Sequence, residues 1–175
     1  SVSGKVVHLP GPLKVLRDYD ELKFMCNIKS NNKTIIKEEF ETVFLQIPGT
    51  TPFPKFGVTF RTQLLDTPIR GWGKALGEEA YLDFYKTGEN LRLRFFKTGD
   101  CFSPLGMNGT KKLKTFFIDA KVPREERKRT LLLTSSEGDI IWVYGHRISN
   151  HYKVTPATRK ILYINGDLKK ADIDP

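Results

Sequence analysis

The sequence predicts an α+β fold: a β-rich N-terminal half, then a mixed sheet with two short basic helices. Three observations predict it. Apolar and polar residues alternate at the two-residue period of a half-buried strand in several separate stretches. One segment, Leu113 to Ala120, instead carries its apolar residues at i, i+3, i+4 and i+7, the stripe of an amphipathic helix. Clusters rich in Pro, Gly, Asn and Asp separate these stretches at short intervals. With 175 residues, 39% hydrophobic residues and 12 Phe, the chain can build a true core.

The first half reads mainly as strands. Lys5–Leu9 and Leu13–Arg17 are short and separated by Pro10-Gly-Pro12. Leu22, Phe24, Cys26 and Ile28 alternate with Lys23, Met25, Asn27 and Lys29, after a turn expected at Asp18–Asp20. Phe40–Ile47 and Val58–Leu65 are two further strands. Between them, Pro48–Pro54 carries three prolines and reads as a loop without helix or much ladder pairing. Asp66–Glu79 reads as irregular. Its Gly71-Trp-Gly73 and Gly77 do not have the spacing of a dinucleotide-binding turn, so a surface loop is expected.

In the second half, Leu91, Leu93 and Phe95 alternate with Arg92, Arg94 and Phe96, which puts the two sets on opposite faces of a strand. Gly99-Asp100 and Pro104–Gly109 read as turn and loop. The helix at Leu113–Ala120 follows, with Lys111, Lys112 and Lys114 near its start. Pro123 can open a second short helix to Arg129. Leu131–Thr134 and Ile140–Tyr144 flank Ser135–Asp139 as a hairpin, and Tyr152–Val154 and Ile161–Ile164 are expected to close the sheet. The organisation expected is a β-rich region over 1–85, a basic domain over 86–165, and an untethered tail over 166–175.

Charge supports that division. The formal net charge is +9. Residues 1–85 carry 11 basic and 10 acidic side chains, residues 86–165 carry 16 and 7, and residues 166–175 carry 2 and 3. A basic excess confined to one stretch points to a polyanion-facing module, with a merely solvated face as the alternative. No apolar run approaches the ~20 residues of a membrane span. The opening Ser1–Lys5 lacks a charged segment leading into an apolar one, so no secretory signal is read. Cys26 and Cys101 form no metal-binding pair, and a reducing, cytoplasmic setting is expected. The two glycosylation-like triplets at Asn32 and Asn108 then read as chance matches.

Catalytic constellations are absent from the sequence. It has no phosphate-loop, zinc-protease or nucleophile-elbow pattern. His8, His146 and His151 read as surface histidines, and no metal site is expected. The neighbouring pairs Glu38-Glu39, Glu78-Glu79 and Glu125-Glu126 point apart on a regular element. Cys101 lies near Lys97 but has no evident base, so it reads as an ordinary loop or core cysteine.

Binding chemistry is better supported. From Thr110 to Arg129 the chain carries eight basic side chains against Asp119, Glu125 and Glu126. A glycine-bearing loop ending at Gly109-Thr110 is expected to enter the first helix directly, where free amides, helix dipole and lysines would form an anion site. Both helices are expected to be pinned to a core by apolar faces. Arg94 and Arg127 could each grip a phosphate with two bonds. Phe96 could stack on an unpaired base, but burial against a second layer is preferred for it.

Five stretches then occur in order: Gly99–Gly106, Gly109–Lys114, Phe116–Pro123, Arg127–Arg129 and Ile141–Ile148. Together they resemble the C-terminal domain of the bacterial tRNA(Ile)-lysidine synthetase family, over about Leu91 to Ile164. The part from Gly4 to Leu65 resembles the β-rich region leading into that domain. The resemblance implies an α+β fold shared with a domain of the phenylalanyl-tRNA synthetase β chain. It also implies a parent enzyme, an ATP-dependent ligase that joins lysine to cytidine 34 of isoleucine tRNA. The family's catalytic Ser-Gly-Gly-x-Asp-Ser signature is not found here. This chain is therefore expected to be an inactive C-terminal piece with no cofactor of its own, ATP and lysine binding on the absent N-terminal domain.

By the same resemblance, the piece holds the body and acceptor stem of isoleucine tRNA. No membrane partner is implied, and a homodimer through the parent protein is left open. The tRNA-binding candidates are Arg92, Arg94, Lys97, Thr110, Lys111, Lys112, Lys114, Lys121, Arg124, Arg127 and Arg129. Gly99, Asp100, Gly106 and Gly109 are candidate structural turns. Phe96 and Cys101 stand where the family commonly has Arg, which removes charge beside the loop. The rival reading is a protein-interaction or dimerisation module whose working surface is the β-rich half.

Overall fold

A computed structural model describes residues 5–8, 13–18, 21–26, 42–66 and 77–168. Near the start, Lys5–His8 (β1), Leu13–Asp18 (β2) and Glu21–Cys26 (β3) form an antiparallel meander in the order β1-β2-β3. Asp18 pairs with Glu21 at the end of the β2–β3 ladder. Leu9, Tyr19, Asp20, Ile28, Phe40 and the glycine run Gly71–Gly73 lie outside the described residues.

Two antiparallel sheets follow. The four-stranded sheet has the order β5-β6-β14-β7, built from Gly49–Phe53 (β5), Val58–Asp66 (β6), Glu79–Asp83 (β7) and Lys160–Leu168 (β14). The five-stranded sheet runs β13-β12-β11-β8-β4. Its strands are Val43–Phe44 (β4), Arg92–Phe95 (β8), Leu131–Thr134 (β11), Ile140–Val143 (β12) and Arg147–Ile148 (β13). Cys101–Phe102 (β9) and Lys111–Lys112 (β10) make a separate two-stranded ribbon. The helices are short: Phe84–Thr87 (α1), Leu113–Asp119 (α2) and Arg124–Arg127 (α3).

The two sheets pack face to face. Phe53, Val58, Phe60, Ala80, Leu82, Leu162 and Ile164 of the smaller sheet meet Leu93, Leu131, Leu133, Ile141 and Trp142 of the larger. Side chains of this size stabilise by about 1.5–3 kcal/mol each when fully buried. Residues from both sides of position 85 line this core. The opposite face of the larger sheet supports α2: Leu132, Ile140 and Val143 pack with Leu113, Phe116, Phe117, Phe102 and Val122. The larger sheet is therefore the middle of three layers, and β11 is buried at every position. In β12 the register skips Ile141. That bulge lets the consecutive Ile141 and Trp142 both enter the sandwich core, while Ile140 and Val143 face the helix.

Several expectations are corrected. Pro48–Pro54 is not all loop: β5 pairs with β6 from Gly49↔Thr62 to Phe53↔Val58. An edge strand tolerates Pro52 because the missing N–H can fall on the unpaired side. Of the strand expected over Phe40–Ile47, the described residues 42–47 hold only β4, because the chain leaves one sheet at Gln46 to enter the other at Gly49. Thr62 secures this crossing, donating to the Gln46 carbonyl at 2.6 Å and accepting from the Gly49 amide at 3.0 Å. Tyr152 is not in a strand but in a 3-10 turn over Asn150–Tyr152, with its ring in the core. The chain is not an untethered tail from 166, since β14 pairs with β6 up to Leu168↔Val58.

Candidate nucleic-acid interface

The candidate face is built on β8. Leu91 and Leu93 are buried, as the alternation requires, and Phe95 packs edge-on against Phe53 with ring centroids 5.6 Å apart. Arg92 and Arg94 take the other face. The guanidinium of Arg94 is held in a fork by Asp100: Nη1 donates to Oδ2 at 2.8 Å and Nη2 to Oδ1 at 3.0 Å. Both side chains are 13% exposed, so Arg94 is not presented as a free phosphate grip. Asp100 also accepts the Lys97 amide through Oδ2 at 2.8 Å, and its carbonyl accepts the Leu113 amide at 2.8 Å. One aspartate thus fastens the strand, the turn and the first residue of α2. Gly99 and Gly109, at φ 102° and 89°, supply the positive-φ corners before β9 and β10.

The loop does not run straight into the helix. β10 intervenes, pairing Lys111 with Phe102 and Lys112 with Cys101. Helix α2 then has only seven residues, and its first amide is used by Asp100. The helix-terminus anion site expected from sequence is therefore not formed. Leu113, Phe116 and Phe117 are buried as the periodicity predicts, while Ala120, the expected fourth member of the stripe, is exposed at the C-cap. The Lys111 ammonium is committed to the Asp119 carboxylate across the helix.

The end of α2 explains how the next cations are presented. The Lys121 amide donates to the Ile118 carbonyl at 3.0 Å, and the Val122 amide to the Phe117 carbonyl at 2.9 Å. This is a Schellman motif, closed by the contact between Val122 and Phe117. Its left-handed position, usually glycine, is occupied by Lys121 at φ 54°. The Arg127 Nε donates to the Val122 carbonyl at 2.8 Å, tying α3 back to that turn. Helix α3 buries none of its residues, so the expected apolar anchor is absent and this hydrogen bond holds it instead.

The eleven candidate residues therefore divide. Arg94, Lys111 and Arg127 are engaged by Asp100, Asp119 and the Val122 carbonyl. Arg92 is half-buried, with its guanidinium carbon 5.1 Å from the centroid of the Phe44 ring. Lys97, Thr110, Lys112, Lys114, Lys121, Arg124 and Arg129 are exposed. Among the described residues, Lys112, Lys114, Arg124 and Arg129 form no ion pair, nor does the exposed Lys128 between Arg127 and Arg129. These five, with Lys121, follow one another along a single segment over the helix-bearing layer. Phe96 is half-buried edge-on against Phe117, centroids 5.4 Å apart, as the burial reading expects. Cys101 is exposed on β9, its thiol directed at the Gly99 carbonyl at 3.3 Å.

His146 has a role that sequence reasoning missed. Its ring lies 5.9 Å from Phe117 and 6.1 Å from Phe116, against the helix-bearing layer. Burial pushes its pKa below the ordinary value, with the Glu126 carboxylate opposing. No local pattern signals this, because the contact joins a β-turn to a helix far away in sequence.

The fold and this face together define a layered α+β domain with a cationic, helix-bearing surface. Among the described residues there is no cluster of potential metal ligands and no helix long and apolar enough to cross a membrane. Residues 91–165 match the family described as the TilS substrate C-terminal domain. The chain is 38% identical over 160 residues to a tRNA(Ile)-lysidine synthase of Caldanaerobacter subterraneus, covering 90% of this chain and 32% of that protein. It is 33% identical over 169 residues to one of Clostridium tetani, covering 96% and 35%. A crystal structure of a TilS C-terminal domain superposes with a TM-score of 0.62 at 26% identity, over 75% of this chain and all of the other. Residues 91–165 thus match the TilS substrate C-terminal domain, and most of the chain is similar to tRNA(Ile)-lysidine synthases. It spans about a third of the length of the relatives it matches.

Proposed function

We propose that this chain is the tRNA-holding part of a tRNA(Ile)-lysidine synthase, gripping the body and acceptor stem of isoleucine tRNA. The observation that carries this reading is the set of exposed basic side chains outside any ion pair along α2 and α3, namely Lys112, Lys114, Arg124, Lys128 and Arg129, in a chain similar to this family. Such cations bind by neutralising phosphates and releasing counterions, without reading bases. Lysidine formation on cytidine 34, with ATP and lysine as co-substrates, belongs to the remainder of the longer protein. Fixing the tRNA at a distant surface keeps its anticodon at high effective concentration near that catalytic domain. The setting is cytoplasmic, and any homodimer forms through the parent protein.

The test is a titration of the chain with isoleucine and methionine tRNAs at two salt concentrations. Four to six phosphate contacts give a log–log slope of about −3 to −5. Lys112→Ala and Lys114→Ala each reduce the slope by about one. Lys111→Ala reduces it less, since Asp119 already occupies that ammonium. A flat salt dependence rejects the proposal.

A further inference from the structure

Beside α3 lies a cleft of about 310 Å³, lined by Phe56, Val122, Leu131, Tyr144 and His146, with Glu126 and Arg129 among its polar groups. Its size sits at the small end of the ~300–1,000 Å³ range of ligand clefts, enough for one planar ring system. Phe56 and Tyr144 meet edge-to-face, centroids 6.3 Å apart, so aromatic surface forms part of the lining. Arg129 belongs both to this cleft and to the exposed basic run.

We propose that this cleft receives one unpaired nucleobase of the bound RNA, with the adjoining phosphate on Arg129. A nucleobase fits the chemistry in three ways. Its faces are apolar and stack on Phe, Tyr or His rings. Its edge carries amino and imino donors that the Glu126 carboxylate can accept. Its backbone is anionic, matching the cationic segment on which the cleft opens. An apolar protein side chain would fill the lining but give Arg129 and Glu126 no partner. His146 supports the fit: burial favours its neutral form, which offers a stacking ring with one donor and one acceptor.

This inference rests on the RNA-holding role, and the experiment separates the two. The chain is titrated with two RNA hairpins of identical stem, one fully paired and one with a single bulged 2-aminopurine. The bulged hairpin is expected to bind about tenfold tighter, with quenched 2-aminopurine fluorescence. His146→Ala removes both effects. Because His146 packs on α2, the exposed Arg129→Ala is the second variant, and it costs the bulged hairpin more affinity than the paired one. If the paired hairpin binds but the bulge adds neither affinity nor quenching, the cleft proposal fails alone. The same follows if the gain survives in both variants. If neither hairpin binds, the RNA-holding role fails.

Discussion

Arg94 and Asp100, six positions apart in the chain, face each other with two parallel hydrogen bonds of 2.8 and 3.0 Å and little exposure to water. Removing one partner leaves a poorly solvated charge, which costs about 3–5 kcal/mol for a buried pair. Asp100→Ala also frees the Lys97 amide. It is expected to lower stability by about 3 kcal/mol, whereas the exposed Lys114→Ala stays within about 0.5 kcal/mol of wild type. Urea midpoints of the two variants check this.

Lys121 holds a left-handed conformation that L side chains other than glycine adopt at a penalty of about 1–2 kcal/mol. Lys121→Gly is expected to raise stability by about 1 kcal/mol, read as a higher melting temperature. The same variant weakens RNA binding, because it deletes a cation from the basic segment. A gain in stability with a loss in binding marks the residue as kept for its charge.

Gly166 sits where a side chain has no room. An added Cβ would lie 2.5 Å from the Tyr144 ring and 2.9 Å from the Phe60 ring. The Tyr144 hydroxyl also donates to the Gly166 carbonyl at 3.0 Å. Gly166→Ala is expected to cost about 1–3 kcal/mol through overpacking, measured by chemical denaturation.

The depressed pKa of His146 makes stability fall in mild acid. Its ordinary value is 6.5 and the folded value lies lower. Between the two, the unfolded chain binds a proton that the folded chain does not, so stability rises with pH through that window. The contribution is intact above 6.5, declines as pH falls toward the folded value, and levels off below it. Urea midpoints at about pH 7.5 and 5.5 are expected to differ less for His146→Gln than for wild type. Glu126→Gln is expected to widen the window by removing the opposing charge.

Elements were legible where one physical signal dominates. Leu91, Leu93 and Phe95 declare a strand because one face is buried, and Leu113, Phe116 and Phe117 declare a helix for the same reason. Pro52 misled because a single sequence does not distinguish an edge strand from a central one. Tyr152 is a core residue without a strand, since burial alone fixes no backbone shape. The bulge at Ile141 depends on which partner strand is opposite, which no local pattern encodes. The basic segment was visible as composition. Its division into engaged and open cations was not, because Arg94–Asp100 and Lys111–Asp119 are pairings made by tertiary geometry.

The placement of β14 bears on how the chain acquires its fold. The last described strand enters the smaller sheet between β6 and β7, pairing Lys160 with Asp66 and Ile161 with Asp83. Neither neighbour pairs with the other, so the sheet stays open down its middle until the final strand arrives. Such distant pairings are slow to form. On the ribosome this sheet cannot close before the segment through Leu168 has left the exit tunnel, and β6 and β7 wait until then with unsatisfied edges, open to pairing with other chains. Premature termination before Lys160 would therefore yield an aggregation-prone product rather than a shorter working domain.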